Sequence, residues 1–398
     1  MKQMNKKYFY LSIIMLLFTI DNSFAITVDE ILNEIATNNL SLQASREASK
    51  SIISNIKSTN NLTNPEFGFE YHNGSNVDGN KYGISVTQTI DWPGLYISRS
   101  KANKNRISSA EYQLINERLN ILLEAKLLCI EIINLNKKLD NQTTVYNNIS
   151  KLYTEYEKGF KHGEISILDI NKLKIELLNA KSVTAELTAL RNSAIKQLIG
   201  LNGKNEITDL EQLKLYPTQT LENIETYLGQ VLALDPEVQS MELNKEAAKK
   251  DVTIAKMGWL PDFSIGYRYT DELGSKFNGL AVGMSIPLFS NRNKVKEAEK
   301  QYSFHEYNQQ SNIAQKESQI KADFAHIVTL ESQINSYKNI LEDGSNLLML
   351  KKALDGGQIT LLNYLLELKY FLEAQQNLLD LEFEYNTLIT SLNKYYLL

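Results

Sequence analysis

Apolar positions along this chain keep two periods, and the chain alternates between them in a set order. Residues 26–63 contain neither Gly nor Pro and carry apolar positions at helical spacing. Residues 95–158 also lack both, and as one helix they would run about 96 Å at 1.5 Å per residue. Within them Leu114, Ile121, Leu128, Leu135, Gln142, Ile149 and Tyr156 recur every seven residues. Arg118, Ala125, Ile132, Leu139, Tyr146, Tyr153 and Phe160 follow four later, and only Arg118 and Gln142 interrupt the stripe. That is coiled-coil packing. A second set, Ile115, Leu122 and Cys129, lies beside it and suits a helix with a neighbour on each side. Return helices are expected over 164–199 and 358–398, and a second long helix over 288–343.

The period switches to two in four places. Phe67, Phe69 and Tyr71 alternate with Gly68, Glu70 and His72, and a polar turn follows at Asn73-Gly74-Ser75-Asn76. Tyr82, Ile84 and Val86 alternate with Gly83, Ser85 and Thr87. Phe263, Ile265, Tyr267 and Tyr269 alternate with Ser264, Gly266 and Arg268, and Leu280, Val282, Met284 and Ile286 with Gly279, Ala281, Gly283 and Ser285. The alternation predicts two hairpins, over 65–91 and 261–287. Taken alone it fits any half-buried sheet as well as a membrane barrel.

The same order of elements occurs twice because the chain repeats itself. At an offset of 196, Asn64-Pro65-Glu66-Phe67 falls on Leu260-Pro261-Asp262-Phe263, Tyr71 on Tyr267, and Ile84, Val86 and Ile90 on Leu280, Val282 and Ile286. At an offset of 194, Gly163-Glu164-Ile165-Ser166-Ile167-Leu168-Asp169 falls on Gly357-Gln358-Ile359-Thr360-Leu361-Leu362-Asn363. Helical periodicity alone would align leucines, but not prolines and glycines too. The halves are 26–215 and 216–398, with Gly200, Gly203 and Pro217 marking the joint.

Trp92 closes the second strand and Trp259 opens the third, which puts both at one level if the hairpins enter and leave on one side. Tryptophan is enriched at bilayer interfaces, and this tips the reading towards a membrane barrel. Four strands cannot close such a barrel, since eight is the smallest, and an open edge in lipid is not viable. The chain must therefore associate: two copies give eight strands, three give twelve and room for an aqueous lumen lined by Gly, Ser, Thr and Ala.

Composition narrows the rest. Gly is 18 and Pro 6 of 398 residues, against averages of about 7% and 5%, which favours long helices over an all-β or disordered chain. A net charge of −5 argues against nucleic acid as a partner. One cysteine rules out an intrachain disulfide framework. His72, His162, His305 and His326 show no metal-ligand spacing, and no nucleophile motif or phosphate loop appears, so neither a cofactor nor an enzymatic activity is expected. Residues 1–25 read as a secretory signal: Lys2, Lys6 and Lys7, an apolar run from Tyr8 to Ile20, and Ser23-Phe24-Ala25 as the cleavage site. The run is short for an uncleaved anchor, and no other stretch is apolar enough for a transmembrane helix.

An exported chain with two halves, each with a Pro-initiated hairpin, a long helix and a Gly-x-[IL]-[ST]-x-[LI]-[DN] turn, resembles the outer-membrane efflux protein family typified by TolC. The resemblance covers essentially all of the mature chain. It implies a mainly α fold with a four-stranded β contribution: duplicated long-helix hairpins forming an α-helical barrel, and a homotrimer sharing a twelve-stranded barrel in the outer membrane of a Gram-negative bacterium. It implies a duct that takes metal cations or small toxic compounds from a periplasmic adaptor and an inner-membrane pump. A duct for type I protein secretion, or a soluble periplasmic coiled-coil scaffold, are the alternatives. Asp91-Trp92-Pro93-Gly94 resembles the heavy-metal cation branch. By the same resemblance Gly159, Gly163, Gly356 and Gly357 turn the chain at the periplasmic tip, and Glu164, Ile165, Ser166, Gln358, Ile359 and Thr360 meet the adaptor. Asp169, Asn363, Leu366 and Glu367 fall at the pore entrance, where the family often carries aspartates that Asn363 and Leu366 do not supply.

Overall fold

The computed structural model describes residues 26–74, 79–219, 221, 223–341 and 345–397. The expected signal over 1–25 lies outside the described residues, as do Ser75 and Asn76 of the expected turn and the end of the 288–343 helix. In chain order the elements are α1 (Val28–Asn38), α2 (Leu40–Ser58), β1 (Glu66–Asn73), β2 (Asn80–Ile90), α3 (Pro93–Lys161), α4 (Ile167–Leu201), α5 (Ile224–Leu234), α6 (Pro236–Met257), β3 (Asp262–Glu272), β4 (Ser275–Ser285), α7 (Lys294–Leu341), α8 (Ser345–Asp355) and α9 (Leu361–Leu392). Short 3-10 turns stand at Leu210–Gln212 and Asn393–Leu397.

The described residues divide into two compact units, each drawing on both sequence halves. One comprises the described residues of 39–124, 219–340 and 384–398, and holds the sheet. Its core gathers Leu119, Tyr227, Val231, Ile320, Ile327, Ile389, Leu392 and Tyr395, drawn from four helices and the C-terminal turn. The other comprises those of 26–38, 125–218 and 341–383. There Leu152, Leu173, Leu354, Leu361, Tyr364 and Leu368 form one cluster, and Val145, Ile149 and Ala180 another.

The long helix runs unbroken from Pro93 to Lys161. Pro93 suits its first turn, where the missing N–H costs nothing. Around its middle Ala125, Leu128, Cys129, Ile130, Ile132, Ile133 and Leu135 are all buried, so this stretch is covered nearly all round. The polar Gln142 in the stripe has a partner: its side-chain amide donates to the Ala180 carbonyl, 3.1 Å away. Asn136 donates to the Leu210 and Leu213 carbonyls at 2.8 and 2.9 Å, pinning the segment after α4 to α3.

The helix expected over 26–63 is two helices, broken at Asn39. Asn39 is extended (φ −63°, ψ 118°) and its side chain accepts from the Leu42 N–H. Asp235, 196 residues on, breaks the second half in the same way, accepting from the Glu237 and Val238 N–H groups. Both caps are buried. A buried cap satisfies amides that would otherwise be orphaned at a helix start, so the chain can stop and restart a helix without Gly. The second long helix starts at Lys294 rather than 288. Residues 288–293 form turns instead, with Asn293 at φ +67° and Asn291 buried against Gly258.

Candidate functional site

The four strands form one antiparallel sheet in the order β1-β2-β3-β4. Direct partners share a face in an antiparallel sheet. Phe67 lies opposite Val86, Val86 opposite Tyr267, and Tyr267 opposite Leu280. One row along, Gly68, Ser85, Arg268 and Gly279 line up on the other face. The first face is thus aromatic and branched, the second small and polar. The apolar face is not a core: Phe67 is 77% exposed, Leu280 81% and Val282 80%. An exposed apolar sheet face of this size marks a surface that meets lipid or protein.

The small face is small of necessity in places. A Cβ on Gly266 would fall 2.6 Å from the Val86 carbonyl oxygen. The two hairpins close differently. Glu272 pairs with Ser275, so the β3–β4 loop is just Leu273-Gly274, both with positive φ (57° and 84°). This is the left-handed two-residue turn that matches strand twist, and Asp271 accepts from the Gly274 N–H at 3.1 Å. Asn73 pairs with Asn80 across a longer loop. The sheet is longer than the alternation alone indicates: β3 continues to Glu272 and β4 begins at Ser275, whereas Ile286 falls just outside it.

Trp92 and Trp259 flank one end of the sheet, where Ile90 pairs with Phe263. Trp92 packs on Phe263, ring centroids 5.9 Å apart. Trp259 is 48% exposed.

In the other unit the two Gly-containing turns fold alike. The Gly163 N–H donates to the Phe160 carbonyl and the Glu164 N–H to Gly159; 194 residues on, Gly357 donates to Leu354 and Gln358 to Ala353. Each pair forms the bond pattern that caps a helix C-terminus through a left-handed residue. Gly163 and Gly357 supply it, at φ +76° and +66°. Gly159 and Gly356 do not turn the chain in this way: Gly159 lies inside α3 against Ile165, and Gly356 sits over the Lys352 carbonyl. Ser166 then caps α4, accepting from the Leu168 N–H, and Thr360 accepts from the Asn363 N–H. The second turn borders the cluster around Leu173 and Leu361, into which Ile359 packs.

Glu164, Ser166, Gln358 and Thr360 are exposed, whereas Ile165 and Ile359 are half-buried. Ile167, Leu168 and Leu362 are exposed beside them (52%, 65% and 57%). They read as ordinary helical apolar positions in sequence, and only their solvent exposure distinguishes them. Asn363, Leu366 and Glu367 share the exposed face of α9, with Tyr370 a turn further on. Asp169 is half-buried and pairs with Lys172 of its own helix at 3.3 Å.

Among the described residues no group of His, Cys, Asp and Glu could hold a metal ion. Cys129 is fully buried, and burial pushes its thiol up to about 12. No described helix is long and apolar enough to cross a membrane.

A sheet with one lipid-like face, joined to long paired helices, defines the fold class of an outer-membrane channel. Residues 227–395 match the family profile described as outer membrane efflux protein. Its fold is that of solved outer-membrane channels. The structure of CusC, described with transmembrane channel formation, is 16% identical, with 92% of this chain and 91% of that one covered at a TM-score of 0.76. The CmeC outer membrane channel of Campylobacter jejuni is 17% identical over 93% of this chain and 85% of its own, TM-score 0.73. The outer membrane protein VceC of Vibrio cholerae is 16% identical over 92% and 95%, TM-score 0.73. No protein of curated function matches the sequence.

Proposed function

We propose that this chain is the outer-membrane channel of a tripartite efflux system, a homotrimer that conducts metal cations or small toxic compounds out of a Gram-negative cell. The observation that carries the reading is the sheet: an exposed apolar face, a face of Gly, Ser, Thr and Ala, and two unpaired edges. Lipid demands that every backbone polar group be satisfied, so such a sheet spans a bilayer only inside a closed barrel. Three copies give twelve strands, enough to enclose water. The paired turns at Gly163 and Gly357, with Glu164, Ser166, Gln358 and Thr360 exposed, form the surface offered to a periplasmic adaptor. The adaptor and an inner-membrane pump supply the cargo and the energy, and the duct itself catalyses nothing.

Purification of the mature chain in mild detergent tests this. A trimer by light scattering that conducts ions in planar bilayers, and an adaptor that co-purifies with it, are expected. A stable monomer without conductance overturns the reading. Co-purification with an ATP-driven protein exporter would replace the cargo assignment with protein secretion.

A further inference from the structure

The sheet leaves two edges open, the outer side of β1 and the outer side of β4. Under the reading above, on which this inference rests, a second copy fills them. The internal repeat says how. Strand β1 corresponds to β3 and β2 to β4 at an offset of 196. The junction between the halves, β2 with β3, is therefore the internal counterpart of the junction between copies, β4 with β1. In the internal junction Ile84 lies opposite Tyr269 and Val86 opposite Tyr267. Carrying each residue to its repeat position converts these pairs into Leu280 opposite Asn73 and Val282 opposite Tyr71 of a second copy.

We infer that β4 joins β1 of the next copy in this register, which also sets Ala281 opposite His72 on the small polar face. The pairing keeps apolar beside apolar, as any even shift would. Strand tilt narrows the choice. Phe67 leads across the sheet through Val86 and Tyr267 to Leu280. The inferred junction then reaches Asn73 of the next copy, six residues along β1 from Phe67. Six residues at about 3.3 Å over four strands at about 4.8 Å is a tilt of about 45°, at the top of the range for barrels. A register two residues longer gives about 54°, outside that range, and one two residues shorter about 35°. The shorter one, which sets Ala281 opposite Glu70, is the competitor. The hairpins themselves differ by such a step: Phe67 pairs with Val86, but Phe263 pairs with Met284 rather than Val282.

The test is disulfide cross-linking in the full chain, with fully buried Cys129 left in place. The doubles His72→Cys/Ala281→Cys and Glu70→Cys/Ala281→Cys are oxidised in outer-membrane vesicles and run on non-reducing gels. In one chain β1 and β4 are separated by two strands, so any bond between these positions links copies. The first double should give covalent dimers and trimers several-fold more efficiently than the second. Stronger cross-linking of the second overturns the register and leaves the oligomer standing. Failure of both in a chain that light scattering shows to be a trimer also overturns the register alone. Failure of both in a monomeric chain overturns the underlying reading as well.

Discussion

At the scale of single residues the two helix breaks are the most instructive feature, because one position solves the same problem twice with different chemistry. Asn39 is a neutral cap. Asp235 is a charged one, and its side chain is 1% exposed. It accepts from Lys316 Nζ at 2.6 Å and from the Tyr395 hydroxyl at 2.8 Å. Burial pushes the Asp235 carboxyl up, but the bonds from Lys316 and Tyr395 outweigh it and hold the group below its ordinary range. Burial pulls Lys316 down, and Asp235 and Glu237 more than restore it. Removing the neutral cap with Asn39→Ala should cost about 1 kcal/mol. Asp235→Ala should cost about 2–3 kcal/mol, since it also removes the charge-assisted bonds from Lys316, which keeps Glu237 as a partner, and from the Tyr395 hydroxyl. Thermal unfolding of the detergent-solubilised protein compares them, and equal losses would contradict the charged network. The pH dependence has a definite sign. A carboxyl depressed in the folded state stabilises above its unfolded value near 4, and that stability is lost as pH falls through the folded value. Wild type should show this acid loss and Asp235→Asn should lack that part of it.

At the scale of elements, the sequence showed most where the signals are local. The strand alternation, the coiled-coil stripe and the two turns could be read directly, because periods of two and 3.5 and a glycine before a Ser or Thr cap are features of neighbouring residues. Asn39 was not legible, since a run without Gly or Pro looks helical until the cap is seen buried. Its counterpart is plainer, because Asp235-Pro236 is a cap followed by a first-turn proline. The pairing of β2 with β3, and the packing of Tyr395 beside Tyr227 and Ile327, were hidden because they join residues far apart in the chain. The turns carry a prediction of their own. A Cβ added at Gly163 or Gly357 would meet nothing within 4 Å, so its penalty is conformational, about 1–2 kcal/mol for a left-handed residue. Gly163→Val and Gly357→Val should leave trimer yield near wild type and weaken adaptor co-purification. Undiminished efflux and adaptor binding in the double variant would remove the docking assignment.

At the scale of the whole molecule, the proposed barrel assigns the residues of one sheet face to lipid and those of the other to the lumen. Val282→Lys places a charge on the apolar face and should cost about 2–4 kcal/mol if it sits near the bilayer midplane. Ala281→Lys, its neighbour on the small face, should assemble nearly as well as wild type and alter conductance. Heat-modifiability on gels reads the first effect and single-channel recording the second. Equal assembly of both would mean that the faces are not partitioned between lipid and water.

The break shared by Asn39 and Asp235 also bears on ancestry. An interruption at the same place in both copies belongs to the unit that was duplicated, so it predates the fusion of the two halves. The caps themselves differ, neutral Asn39 against charged Asp235, and that difference marks divergence afterwards. A gene for a single half, with one hairpin and one pair of helices, would supply two strands per chain. Under the proposed trimer it would reach the same twelve with six identical subunits, so that duplication exchanges a sixfold ring for a threefold one and frees the halves to differ.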